Sequence, residues 1–292
     1  MDVYRTPDAR FEGLPAYPFE PRYSDQDGLR LHYLDESSGP PVLLLHGEPT
    51  WSFLYRKMIP VLAPHARCIA PDYFGFGRSD KPVDRDWYTY DRHSGSIERL
   101  AEELDLADTT VVVQDWGGPI GLRLAVEHPE RVTRLVVLNT GIFSGRPPGP
   151  AWLQFRDFVR RTGTDIRPGQ LVRITCPQPI GDDVVAAYDA PHPTAESKTG
   201  VLMFPELVPT EESHPAAERM RWVRDQLGRW EKPALVLFSD QDPIFSGRPA
   251  ERMAELIPGA GPAETVQGAG HFLQEDRGEE IAGRIVRFLE ET

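Results

Sequence analysis

Four short stretches carry side chains whose types and order suit a single reaction. In Val111-Val112-Val113-Gln114-Asp115-Trp116-Gly117-Gly118 a β-branched run meets a polar residue and two glycines, and a helical pattern follows. A sharp strand–turn–helix junction of this kind lifts a reactive side chain above a sheet, and the residue at its tip is Asp115. An aspartate there is also a preferred helix cap, so this stretch alone leaves a purely structural role open. Leu43-Leu44-Leu45-His46-Gly47-Glu48-Pro49 reads as a strand ending in a His-Gly turn, which can offer a backbone N–H to an oxyanion. Ser239-Asp240-Gln241-Asp242-Pro243 places carboxylates after a late strand, and Gly268-Ala269-Gly270-His271-Phe272 places an imidazole in a glycine-rich loop. Nucleophile, acid and histidine in that chain order form the set a covalent hydrolase needs, and capping does not explain all four.

Positioning such a set requires strands that end together. Strand-like runs fall at Pro41–Leu45, Arg67–Ala70, Thr109–Val113 and Leu135–Leu138, with helical patterns at Ser52–Leu62, His93–Leu106 and Pro119–Glu127 between them. Near-continuous apolar strands with helical crossovers predict a mostly parallel sheet covered on both faces. A hairpin over Tyr23–Leu34, turning at Asp25-Gln26-Asp27-Gly28, precedes it. The rhythm returns with Ala234–Phe238 and Ala263–Val266 as strands and Pro249–Leu256 and Glu279–Glu290 as helices. Between Ile142 and Arg219 the chain is rich in Pro and Gly, with helical pieces at Trp152–Arg161 and Asp182–Tyr188. We read residues 142–219 as a helical cap inserted into an α/β core of residues 1–141 and 220–292, roofing the strand ends where open α/β sheets bind ligands.

Bulk properties narrow the partners. With 292 residues, 40% hydrophobic and 26% charged, the chain suits a globular protein with one sizeable core. A net charge of −13 and no basic run argue against nucleic acid and anionic membrane. Cys68 and Cys176 are too few and too far apart for a disulfide framework, and the N-terminus lacks the apolar stretch of a secretory signal. No window approaches the ~20 apolar residues that span a bilayer. A cytoplasmic protein is the expectation; no exposed apolar stripe stands out from which to read an oligomeric state, which leaves a monomer as one option.

His46-Gly47-Glu48-Pro49-Thr50-Trp51, Phe74-Gly75-Phe76-Gly77-Arg78-Ser79-Asp80-Lys81-Pro82 and Gln114-Asp115-Trp116-Gly117-Gly118 together give a family resemblance. On these stretches the chain resembles the haloalkane dehalogenases of the α/β-hydrolase fold over nearly its whole length. Arg5-Thr6-Pro7-Asp8 and Tyr17-Pro18-Phe19 look like one branch of that family. The core matches closely and the cap loosely, which leaves substrate preference open.

The resemblance implies a reaction that the residue chemistry supports. An ionised Asp115 attacks the halogen-bearing carbon of a small neutral haloalkane and forms an alkyl ester. The halide leaves toward the Trp116 indole N–H, a donor with no competing acceptor. His271, oriented by Asp242, activates the water that hydrolyses the ester, and the backbone N–H groups of Glu48 and Trp116 hold the oxyanion. No metal or organic cofactor is implied. Some relatives carry the acid after the preceding core strand, here Leu138-Asn139-Thr140, where an amide supplies no charge. Asp240 competes, but the family pattern sets the acid directly before the Pro243-Ile244 turn. Many relatives have a halide-binding Asn where this chain has Glu48. An ionised Glu would repel halide, and the branch with Glu uses a cap tryptophan instead. Trp152 fits that role, in a helix where Trp152, Phe155 and Val159 share a face. Trp222 and Trp230 are outside candidates.

An epoxide hydrolase resembles this arrangement, but it protonates its substrate through cap tyrosines, typically two, and residues 142–219 hold one, Tyr188. A fluoroacetate-type dehalogenase would need arginines where Trp116 and Gly117 stand. A catalytically silent relative serving as an interaction module would be expected to have lost a triad member, and none is missing.

Overall fold

The computed structural model describes residues 1–146, 148–245 and 247–292. Eight strands form the main sheet: β1 (Arg22–Gln26), β2 (Leu29–Glu36), β3 (Pro41–Leu45), β4 (Arg67–Pro71), β5 (Thr109–Gln114), β6 (Val132–Leu138), β7 (Ala234–Ser239) and β8 (Glu264–Val266). Their spatial order is β8-β7-β6-β5-β3-β4-β2-β1. Strands β3 to β8 run parallel, and the β1–β2 hairpin adds to β4 antiparallel. This is the α/β-hydrolase architecture.

Alternation along the strands explains why they read as unbroken apolar runs. Leu43, Leu45, Val111, Val113, Leu135 and Val137 point into one apolar cluster. Val42, Leu44, Val112, Val136 and Leu138 point into the other. Both faces are therefore dry, and no position in these strands has to be polar. Helices α1 (Tyr90–Glu103) and α2 (Gly117–Glu127) cover the first face. The closing helix α8 (Leu273–Glu291) covers the second through Leu273, Ile281, Ala282 and Ile285.

Between β6 and α6 (Ala217–Leu227) the chain leaves the sheet and forms α3 (Pro150–Thr162), α4 (Pro168–Thr175) and α5 (Asp182–Asp189) over the strand ends. Sequence periodicity marks α3 and α5 but not the two-turn α4. After α6 the chain returns through β7, α7 (Arg248–Leu256) and β8. No helix among the described residues is long and apolar enough to cross a membrane.

Two expectations change. Ser52–Leu62 is not one helix but a 3-10 turn, Ser52–Tyr55, and a single α-turn, Ile59–Leu62. Pro60 sits at the start of that second turn, and its ring would clash with the carbonyl four residues earlier in a continuous helix. The closing helix begins at Leu273 rather than Glu279, and it bends at Arg277, whose φ of −138° and ψ of 33° are non-helical. A charged cluster between its first turn and the neck before Ile59 locks this region. Arg56 donates to both oxygens of Glu275 at 2.6 and 2.7 Å, and Lys57 Nζ lies 2.9 Å from Glu275 Oε1. The Tyr188 hydroxyl of α5 donates to Glu275 Oε2 at 2.7 Å.

Candidate active site

Asp115 follows β5 directly, and its backbone has a φ of 48°, the left-handed region that aspartate tolerates better than most residues. Its N–H donates to Asn139 O at 3.0 Å, and its carbonyl accepts from Thr140 Oγ1 at 2.6 Å. Such a turn closes only if its neighbours have no Cβ. A Cβ on Gly117 would stand 2.0 Å from Leu45 O, and one on Gly47 would stand 2.3 Å from Asp115 Cβ. The glycines thus bring the ends of β3 and β5 together, and with them two backbone donors. Glu48 N donates to Asp115 Oδ1 at 2.8 Å, and the Trp116 N–H also bonds the carboxylate.

The other groups arrive from the far side of the sheet. His271 Nε2 lies 3.7 Å from Asp115 Oδ2, and its Nδ1 lies 2.8 Å from Asp242 Oδ2. Asp242 Oδ1 accepts from the N–H groups of Ile244 at 2.7 Å and Phe245 at 3.2 Å. Asp240 faces away and accepts from Gly268 N and Ala269 N, bracing the loop that carries His271. Asn139, which sequence reading noted only for lacking a charge, holds that loop as well. Its Nδ2 donates to Gly270 O at 3.0 Å and His271 O at 3.2 Å, and its Oδ1 accepts from Ser239 N.

Burial and neighbours set the protonation states. Burial pushes the Asp115 carboxyl up, opposed by His271 and the two backbone N–H groups. Burial also works against an ionised Asp242, but the imidazole and backbone donors outweigh it and hold this carboxyl below its ordinary value. His271 is shifted upward: desolvation disfavours its cation, yet the Asp242 carboxylate wins, with help from Asp115. Glu48 departs from expectation. Burial, and then repulsion from Asp115, push its carboxyl well above the usual range, which favours the neutral acid over the anion that its residue type suggests.

These groups open onto a cavity of about 320 Å³ walled by apolar side chains including Pro49, Leu171, Pro205, Ile244 and Phe272. Trp116 and Trp152 both line it beside Asp115, each only 6% exposed. The α3 stripe facing the cavity is Ala151, Gln154, Phe155 and Phe158, at i, i+3, i+4 and i+7, with Trp152 on its edge. Val159 turns into the apolar core instead, because the helix is rotated so that its Trp152–Val159 side packs inward. Trp222 lies exposed beside Arg219 and Trp230 is buried beside Lys232, and neither borders the cavity. Tyr188 is buried against Glu275 and does not border it either. Among the described residues no cluster of three or more His, Cys, Asp or Glu is placed to hold a metal.

Comparison with known proteins sets this geometry in a family. Residues 40–163 match the family model for the α/β hydrolase fold. The chain is 46% identical over 296 residues to a haloalkane dehalogenase of Mycobacterium marinum, covering 98% of this chain and 99% of that one. It is 44% identical over 309 residues to a haloalkane dehalogenase of Psychrobacter cryohalolentis, covering 100% and 99%. Among solved structures, a tetrameric haloalkane dehalogenase from Paraglaciecola agarilytica superposes with a TM-score of 0.91 at 36% identity, over 97% of each chain.

Proposed function

The chain belongs to the haloalkane dehalogenases, hydrolases that act on carbon–halogen bonds, and on that premise we propose how its own residues divide the work. Asp115 is the nucleophile, His271 the base and Asp242 its orienting acid. Trp116 and Trp152 bind halide, and the N–H groups of Glu48 and Trp116 form the oxyanion hole. The observation that carries this reading is one carboxylate meeting all of these groups. Asp115 Oδ1 is held by a backbone donor, Oδ2 stands 3.7 Å from the imidazole, and two indoles border the same cavity.

In the first step Asp115 Oδ2 forms a bond to the halogen-bearing carbon, and the halide leaves with the electron pair toward the two indole N–H groups. The apolar wall excludes water, which strengthens those donors and suits a small neutral substrate. In the second step His271 takes a proton from water at Nε2, and the hydroxide attacks Asp115 Cγ. The tetrahedral oxyanion rests on the Glu48 and Trp116 N–H groups and then collapses; the departing alkoxide takes the proton held at His271 Nε2, the regenerated Asp115 carboxyl loses its own, and alcohol, halide and a proton are released. Esterification also prepares the base. It removes the Asp115 charge that helps hold the His271 pKa up, so the imidazole becomes easier to keep neutral at the step that needs it. Epoxide hydrolysis finds no support here, because no tyrosine borders the cavity among the described residues.

The test of the halide site is Trp152→Phe, which keeps the apolar bulk and removes one donor. Bromide binding, read by tryptophan fluorescence quenching, is expected to weaken by about 1.5–3 kcal/mol, the worth of a charge-assisted hydrogen bond. Carbon–halogen cleavage slows with it. Unchanged bromide affinity would make Trp152 a packing residue.

Glu48 provides a second test. Glu48→Gln replaces a neutral acid with an amide of equal size, so at pH 7 the effect is expected below about 1 kcal/mol. The wild type is expected to lose activity on the alkaline side, where a second anion forms beside Asp115, whereas the variant is expected to keep its activity there. A large loss at pH 7, or identical alkaline limbs, would show that Glu48 is not held neutral.

We further assign residues 142–219 as the cap over the 1–141 and 220–292 core. A reducing, cytoplasmic setting is supported by the two buried free cysteines.

A further inference from the structure

Gln114 ends β5, one residue before the nucleophile, and is fully buried. Its Nε2 lies 3.2 Å from His271 O and 3.3 Å from His271 Nε2, while its Oε1 has no partner. The carbonyl can only accept, so the amide must turn its NH2 end toward His271. Across the ring, Nδ1 faces the Asp242 carboxylate at 2.8 Å and must donate. A neutral imidazole that donates at Nδ1 carries its lone pair on Nε2, where Gln114 sits.

We propose that Gln114 is the positioning residue that presets His271 as a base, bracketing the ring opposite Asp242 and holding it in the neutral Nδ1–H tautomer with its Nε2 lone pair beside Asp115. This rests on the reading of His271 as the base for the Asp115 ester. A donor at Nε2 favours the neutral ring over the cation, because the cation would bring two N–H groups face to face. Gln114 therefore offsets the upward pull of Asp242, which orients the ring but also stabilises its charged form. The ring's other neighbours do not provide that opposition. Asp242 and Asp115 are its charged partners, and Glu48 lies across the cavity beside Asp115. Phe245 and Phe272 pack on the ring, and α4 contributes only the Thr175 carbonyl, which accepts from His271 N. An amide suits this position because it donates without adding charge.

Gln114→Met keeps the side-chain length and removes the donor. Single-turnover kinetics with 1,2-dibromoethane separate the two chemical steps. The halide burst is expected to stay within about threefold of wild type, while ester hydrolysis slows about tenfold, the change expected of one lost hydrogen bond. The pH midpoint for hydrolysis moves up by up to about one pH unit, since the protonated ring is no longer disfavoured. Equal losses in both steps with an unmoved midpoint would make Gln114 merely structural, and unchanged hydrolysis would also overturn the proposal. Loss of the burst with no adduct on Asp115 in the wild type would instead sink the underlying nucleophile assignment. Should the variant fail to fold, ¹⁵N shifts of the labelled His271 ring in the wild type decide the matter, with the resonance assigned by its loss in His271→Gln. Above the pH at which the ring titrates, the expected state is protonated Nδ1 and a hydrogen-bonded, unprotonated Nε2, and the opposite tautomer would refute the proposal.

Discussion

His271→Gln is expected to release about one equivalent of halide per enzyme and then stop, with steady turnover down by at least ~10³-fold, as for removal of a catalytic base from a triad. The alkylation step needs only an ionised Asp115 and donors for the halide, and neither is touched by the substitution. The hydrolysis step needs a base within reach of a water beside Asp115 Cγ, and His271 Nε2, 3.7 Å from Oδ2, is the imidazole nitrogen placed there. Mass spectrometry of the stalled variant should find the alkyl group on the peptide containing Asp115. Adding Asp115→Asn should abolish both the burst and the adduct while leaving thermal stability close to that of the single variant, because asparagine also tolerates positive φ. An adduct on any other residue would overturn the mechanism.

Glu275→Ala is expected to cost about 3–5 kcal/mol of stability, because it strips a buried guanidinium of its partner. Arg56 is 2% exposed and gives two hydrogen bonds to Glu275, and the Tyr188 hydroxyl gives a third from the cap. In a chain of this size the loss lowers Tm by on the order of 10 °C. A paired Arg56→Met, Glu275→Leu variant should recover much of it, since no charge is then left buried. The same carboxyl predicts an acid-side signature. Burial alone would raise its pKa, but Arg56 and Lys57 outweigh this and hold it at about 2, down from 4.5. A depressed folded pKa means that the stabilisation is complete above about pH 4.5 and is lost as pH falls toward 2. The amount is about 3 kcal/mol. The slope of stability against pH in that window should flatten in Glu275→Ala, and a variant that melts within about 1 kcal/mol of wild type would show that the pair is energetically idle.

Local sequence determined the parts whose causes are local. The β5 strand, the Asp115 turn and the two glycines after it follow one another within ten residues, so their order alone names a candidate nucleophile. The two-sided burial of β3, β5 and β6 shows in their continuous apolar runs, and from that the parallel sheet follows. Pro60 was equally visible, yet the helical pattern of Ser52–Leu62 concealed the break that its ring imposes.

What needed the tertiary structure were properties that groups distant along the chain impose on one another. Asp240 and Asp242 share a turn, and which of them meets His271 depends on how that turn leaves β7: Asp242 reaches the imidazole at 2.8 Å while Asp240 braces the loop behind it. Glu48 reads as an anion, and only its burial beside Asp115, 67 residues away, shifts it toward the neutral acid. Gln114 and Asn139 read as a strand end and a missing acid, until folding brings both amides onto His271 O, 157 and 132 residues on. Periodicity grouped Trp152 with Val159, whereas the roll of α3 against the core decided which of its side chains faces the cavity. A residue's type states what bonds it can make. Its protonation, its partner and its direction depend on the dielectric and the neighbours around it, and for these residues the fold brings those neighbours from far along the chain.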